Sequence, residues 1–76
     1  MKITDQTYIY DIDDAFSGKW VNVRFKNGQI KKVFMVDIDF DNDIGEAIVY
    51  NTTGSFSYGN AIYLKDVDQI EVTSKD

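Results

Sequence analysis

The stretch "VNVRFKNGQIKKVFMVDIDF", residues 21 to 40, constrains the fold more than any other part of the chain. Two runs of alternating apolar and polar residues flank Asn27-Gly28, and because both turn residues tolerate positive φ, the pattern predicts a β-hairpin. A two-residue turn pairs Lys26 with Gln29, Phe25 with Ile30 and Val21 with Phe34. That register assigns Val21, Phe25, Ile30 and Phe34 to the core face. It assigns Trp20 with Met35, Asn22 with Val33, and Arg24 with Lys31 to the opposite face. One conflict remains inside it: Val23 falls opposite Lys32, which requires either a snorkelling lysine or a bulge that shifts the register.

Beyond the hairpin, Phe34, Val36, Ile38 and Phe40 share one parity and Asp37, Asp39 and Asp41 the other, the alternation of a half-buried strand. A turn around "DNDIG" leads into "EAIVY". Pairing Phe40 with Glu46 then sets Ile38 beside Ile48 and Val36 beside Tyr50. The result is a meander of strands near 19–26, 29–40 and 46–51. "NTTGSFSYGN" reads as a loop or short irregular strand with two aromatics, Phe56 and Tyr58. "AIYL" reads as a fourth strand, "KDVDQ" as a short helical or 3₁₀ turn, and "IEV" as a last strand. Residues 5–17 admit two readings. Ile12, Ala15 and Phe16 have helical spacing, with Asp11 as N-cap and Gly18 as C′ residue; alternatively Thr7 to Asp11 form a strand before one helical turn.

The whole is expected to be mainly β: a small antiparallel barrel of about five strands with a short N-terminal helical segment or turn. In "VNVRFKNGQIKKVFMVDIDFDN" and "AIYLKDVDQIEV", nearly half the chain, this arrangement resembles the SH3-like and Sm-like small barrels. That resemblance implies an architecture that hosts nucleic-acid, peptide and subunit binding alike. Sm-like proteins use a loop motif and basic residues for RNA, whereas this chain offers Asp37, Asp39 and Asp41.

Composition narrows the function classes. At 76 residues the chain is expected to form a single domain over 1–76, with a small core and no room for a deep cleft. It has no cysteine and no histidine, which removes disulfides, thiolate metal sites, the usual general base and the commonest transition-metal ligand. No apolar run has signal-peptide or membrane-span length, so a cytoplasmic location is expected. No cofactor and no metal are expected. Nor is catalysis, because no nucleophile has an evident base, no glycine loop cradles a phosphate, and alternating strand carboxylates do not form a glycosidase cleft. "NTT" at 51 to 53 is a glycosylation sequon only in a secreted protein.

Charge supplies the candidate sites. The net charge is −5, and five of the eight basic residues lie between 19 and 32, whereas "DIDFDNDIGE" holds five acids and no base. An acidic chain is poorly suited to non-specific duplex binding. The acidic stretch fails as an EF-hand loop. Counting from Asp37, Asn42 occupies the glycine position and Ile48 the glutamate position; counting from Asp39, they are Ile44 and Tyr50. A looser cation site from Asp41, Asp43 and Glu46 ranks below a solvated face or a partner-binding patch. Strand residues two apart are about 6.8 Å from each other, close to the spacing of successive phosphates. Asp37, Asp39, Asp41, Asp43 and Glu46 are therefore candidates for an acidic decoy surface that meets a nucleic-acid-binding enzyme, as in phage or mobile-element inhibitors of the anti-CRISPR or anti-restriction type. Trp20, Met35 and Tyr63 are candidates for the aromatic part of a protein contact, because such residues concentrate interface energy. Two alternatives stand beside this reading. One is single-stranded nucleic-acid binding through Arg24, Lys26, Lys31 and Lys32 with Trp20 or Tyr63 as a stacking platform; the other is self-association through the Trp20/Met35 face.

Overall fold

The computed structural model describes residues 1–40 and 45–73; Asp41 to Ile44 and 74–76 lie outside the described residues. The architecture is mainly β, as expected. A helix α1 (Ile9–Phe16) precedes strands β1 (Trp20–Phe25), β2 (Ile30–Asp39), β3 (Ala47–Asn51) and β4 (Asn60–Tyr63). A 3₁₀ turn (Leu64–Asp66) then leads into β5 (Val67–Val72). All five strands form one antiparallel sheet in the order β4-β3-β2-β1-β5. Among the described residues β4 and β5 remain at opposite edges, so the sheet is a small barrel-like half-wrap and not a closed barrel.

The helical reading of the N-terminus prevails over the strand reading. An eight-residue helix is marginal in water by itself, and its formation depends on packing. Ile9, Ile12 and Phe16 are buried against Val21, Val23, Val33, Met35 and Ile48, at about 2 kcal/mol of gross hydrophobic stabilisation apiece. Asp11 does not cap it. Tyr8 holds the N-cap position without a side-chain bond, and Asp11 lies one turn inside, where its charge favours the helix dipole. Gly18 fulfils its expected role: with φ +76 it ends the helix, and its N–H reaches the Met35 carbonyl at 2.8 Å.

The hairpin forms at Asn27-Gly28 with a longer turn than the two-residue one. Phe25 and Gln29 close it, the Gly28 N–H donates to the Phe25 carbonyl at 2.9 Å, and Gly28 takes φ +93. This is a three-residue loop with glycine in the bulge position. The pairs become Trp20 with Phe34, Val21 with Val33, Asn22 with Lys32, Val23 with Lys31 and Arg24 with Ile30. A slip of one residue exchanges the faces. Val33 and Met35 are fully buried in the core, whereas Ile30, expected inside, is 59% exposed and Phe34 is buried on the other face of the sheet. The lysine opposite Val23 is Lys31, not Lys32, and its Nζ lies 4.9 Å over the Tyr50 ring and donates to the hydroxyl at 2.9 Å.

A bulge then restores the parity that the turn had shifted. Met35 pairs with Tyr50 and Asp37 with Val49, which leaves Val36 as the extra residue. Ile38 therefore returns to the core side and pairs with Ile48, as its alternation predicted, although Val36 itself does not meet Tyr50. Phe40, expected in the core by the same alternation, stands exposed at the strand end. Residues 1 to 3 run along the free edge of β5: the Ile3 N–H donates to the Asp68 carbonyl and the Ile70 N–H to the Met1 carbonyl, each at 2.9 Å.

Candidate functional site: the outer face and its strap

The sheet face turned away from α1 carries Trp20 and Phe34 side by side, with ring centroids 5.6 Å apart. The segment between β3 and β4, residues 52 to 59, crosses this face as a strap. Its organiser is Asn51. The side-chain amide donates to the Ser55 and Ser57 carbonyls at 2.8 and 2.9 Å, and its oxygen accepts from the Thr53 and Gly54 N–H groups at 3.1 and 2.9 Å. One side chain thus satisfies four backbone groups that would otherwise need water. Gly54, at φ +78, lies against the Trp20 indole, where an added Cβ would approach Cζ2 to 3.1 Å. Phe56 packs edge-on to Phe34 at 5.4 Å.

The strap therefore displays two rings that it does not bury. Phe56 is 73% exposed and Tyr58 70% exposed, on a segment braced from beneath by Trp20, Phe34 and Asn51. Tyr58 reaches Asp37: its hydroxyl donates to the carboxylate Oδ2, and Oδ1 of the same carboxylate accepts the Ile38 N–H at 2.8 Å. That bond, followed by the charge of Asp37, desolvation and the more distant charge of Asp39, holds the Tyr58 phenol above its ordinary value of 10.0.

The candidate residues from the sequence separate here. Asp37 and Asp39 are half-buried on the outer face, two positions apart beside the strap, as a decoy row requires, but Asp37 is already held by Tyr58. Asp41 and Asp43 lie outside the described residues. Glu46, Tyr63 and Lys26 line a groove of about 340 Å³ between the N-terminal segment and the 3₁₀ turn. Among the described residues no three acidic side chains converge on a cation position. Met35 is fully buried and belongs to the core, so the proposed Trp20/Met35 face does not exist; Phe34 takes its place beside Trp20. The basic hairpin is divided. Lys31 turns to Tyr50 on the core side, while Lys32 lies across the sheet with Nζ 5.4 Å over the Trp20 ring. Trp20 is half-buried, with Gly54 against its indole and Lys32 Nζ over its ring.

Two features escaped the sequence analysis. Asn51 was legible in principle, since Asn followed by Thr-Thr-Gly is a turn-forming pattern whose side chain binds the backbone two and three residues on. The other is an exposed ring cluster at the far end of β2, Tyr8, Tyr10 and Phe40. Only the packing of α1 on the sheet brings it together.

The fold and site define a small, open, antiparallel β module with a braced aromatic strap. Neither the known protein families, nor curated proteins, nor solved structures provide a match to the chain. Among the described residues no helix is long and apolar enough to cross a membrane.

Proposed function

We propose that this protein is a non-catalytic protein-binding module that engages its partner through the strap face. The observation that carries the reading is the exposure of Phe56 and Tyr58 on a backbone fixed by Asn51 and seated on Trp20 and Phe34. Exposed aromatics lower the free energy of association most when their geometry is set before binding, because less ordering entropy is lost. Asp37 and Asp39 border the rings and suit a basic partner surface, which supports the finer reading of an acidic inhibitor or decoy of a cytoplasmic nucleic-acid enzyme. The order helix, four strands, 3₁₀ turn, fifth strand supports placing the chain beside the SH3-like and Sm-like small barrels, whose surfaces serve such binding.

The test is affinity capture with the wild type and with Phe56→Ala/Tyr58→Ala, followed by mass spectrometry. Proteins retained by the wild type and lost by a double variant of unchanged thermal midpoint support the reading. Identical captures by both proteins overturn it. So does tight binding of single-stranded oligonucleotide that weakens steeply with salt and is lost in Arg24→Glu/Lys32→Glu, since that result assigns the face to nucleic acid.

A further inference from the structure

The chain sorts its charges by segment. Residues 3 to 18 and 33 to 64 contain no lysine or arginine, yet they hold nine of the thirteen acids. The five aromatic rings with the greatest exposure, Tyr8, Tyr10, Phe40, Phe56 and Tyr58, all belong to these base-free segments. Two of the lysines sit on rings, Lys31 over Tyr50 and Lys32 over Trp20. Among the described residues, none of the five most exposed rings receives one.

The ring cluster at the start of α1 is the clearest such surface outside the strap. Tyr8 and Tyr10 stand 5.2 Å apart at 55°, and Tyr10 meets Phe40 at 5.4 Å and 63°. The three rings are 59%, 42% and 49% exposed, so each keeps a face open to solvent. Asp11 and Asp14 are exposed on the same helix, Asp14 one turn beyond Tyr10 and Asp11 three residues beyond Tyr8, which places them as neighbours on its surface. Among the described residues neither has an ion-pair partner.

We infer that the Tyr8–Tyr10–Phe40 cluster is a second binding surface, and that its occupant is an arginine-bearing segment of a partner protein. Open ring faces attract a cation within about 6 Å of their centroids. A guanidinium suits this cluster better than an ammonium, because its plane stacks on one ring while its N–H fork reaches a carboxylate at the margin. A second copy presenting its own acidic half is repelled, and a phosphate backbone is repelled by the same carboxylates. The proposal does not depend on the strap, whose rings lie on the other side of the sheet.

The experiment is an NMR titration of the full chain with a seven-residue arginine peptide, alongside lysine and glutamate peptides of equal length. Saturable shifts of the Tyr8, Tyr10 and Phe40 ring signals are expected with the arginine peptide. Binding should be several-fold weaker for lysine and absent for glutamate. Tyr10→Leu/Phe40→Leu, which keeps apolar bulk and removes the rings, should weaken arginine binding about tenfold; Asp11→Asn/Asp14→Asn should weaken it and flatten its salt dependence. Phe56→Ala/Tyr58→Ala should leave it unchanged, which separates this surface from the strap. Shifts spread evenly over all acidic residues and indifferent to Tyr10→Leu/Phe40→Leu would reduce the effect to net charge and overturn the proposal. Concentration-dependent shifts of the same rings without peptide would also overturn it, by making a second copy the occupant.

Discussion

Replacing Asn51 by alanine tests whether the strap is braced by one side chain. The amide makes four bonds to strap backbone, two of them partly shielded from water, to the Ser55 carbonyl and from the Gly54 N–H, and two exposed. The exposed bonds exchange for water at little net cost, whereas each shielded one is worth about 1 kcal/mol, so the loss should be about 2 kcal/mol. For a chain of this size that corresponds to a fall of roughly 10 °C in thermal midpoint. Trp20 is the single tryptophan and lies under Gly54, so its fluorescence reads the strap directly. Urea and thermal unfolding followed by tryptophan emission, with acrylamide quenching of the native state, should show lower stability, red-shifted emission and greater quenching in Asn51→Ala. Thr53→Ala, which keeps the four amide bonds, should stay within about 0.5 kcal/mol of the wild type. If Asn51→Ala leaves both midpoint and quenching unchanged, the strap is held by ring packing alone and Asn51 does not preorganise it.

Gly59→Ala should cost about 1 to 3 kcal/mol, because a Cβ there would lie 2.4 Å from the Tyr50 carbonyl oxygen, backbone that cannot rotate away; differential scanning calorimetry measures it, and an unchanged midpoint refutes the close approach. Deleting Val36 removes the bulge but keeps the pairs Met35–Tyr50, Asp37–Val49 and Ile38–Ile48 in one unbroken ladder, so Asp37 and Asp39 stay on the outer face and Ile38 in the core. Cooperative unfolding in circular dichroism should therefore survive the deletion; its loss would show that the pairs on either side of Val36 do not close into a regular ladder. Tyr58 should titrate above 10.0 by ultraviolet absorbance, because the native state favours its neutral form beside Asp37. With the native value raised, the stabilisation from this bond is fully present below the unfolded value of about 10 and is lost as pH rises through the native one. Asp37→Asn should return Tyr58 to the ordinary range; a raised value persisting in that variant would show that the carboxylate is not its cause.

Much of the fold was legible from local pattern. Alternation located the strands, Asn27-Gly28 located the hairpin, Gly18 ended the helix, and the pairing of Ile38 with Ile48 followed from counting back through the acidic turn. Uneven charge was equally plain, and with it the acidic row and the basic hairpin. Each is a property of a few neighbouring residues, and a few neighbouring residues are enough to reveal it.

Which face is the core was decided only by the tertiary structure. β2 carries hydrophobic side chains on both parities, Val33 and Met35 on one and Ile30 and Phe34 on the other, so either set could face inward. One extra residue in the turn and one at Val36 chose between them, and each single-residue slip reverses every side chain that follows. The preference for one solution resides in α1, whose Ile9, Ile12 and Phe16 cover Val33 and Met35, and in the strap, which covers Phe34 from the other side. Both contacts join residues about twenty positions apart. For that reason the buried fate of Met35, and the exposed ring clusters, emerge only when the chain is closed upon itself.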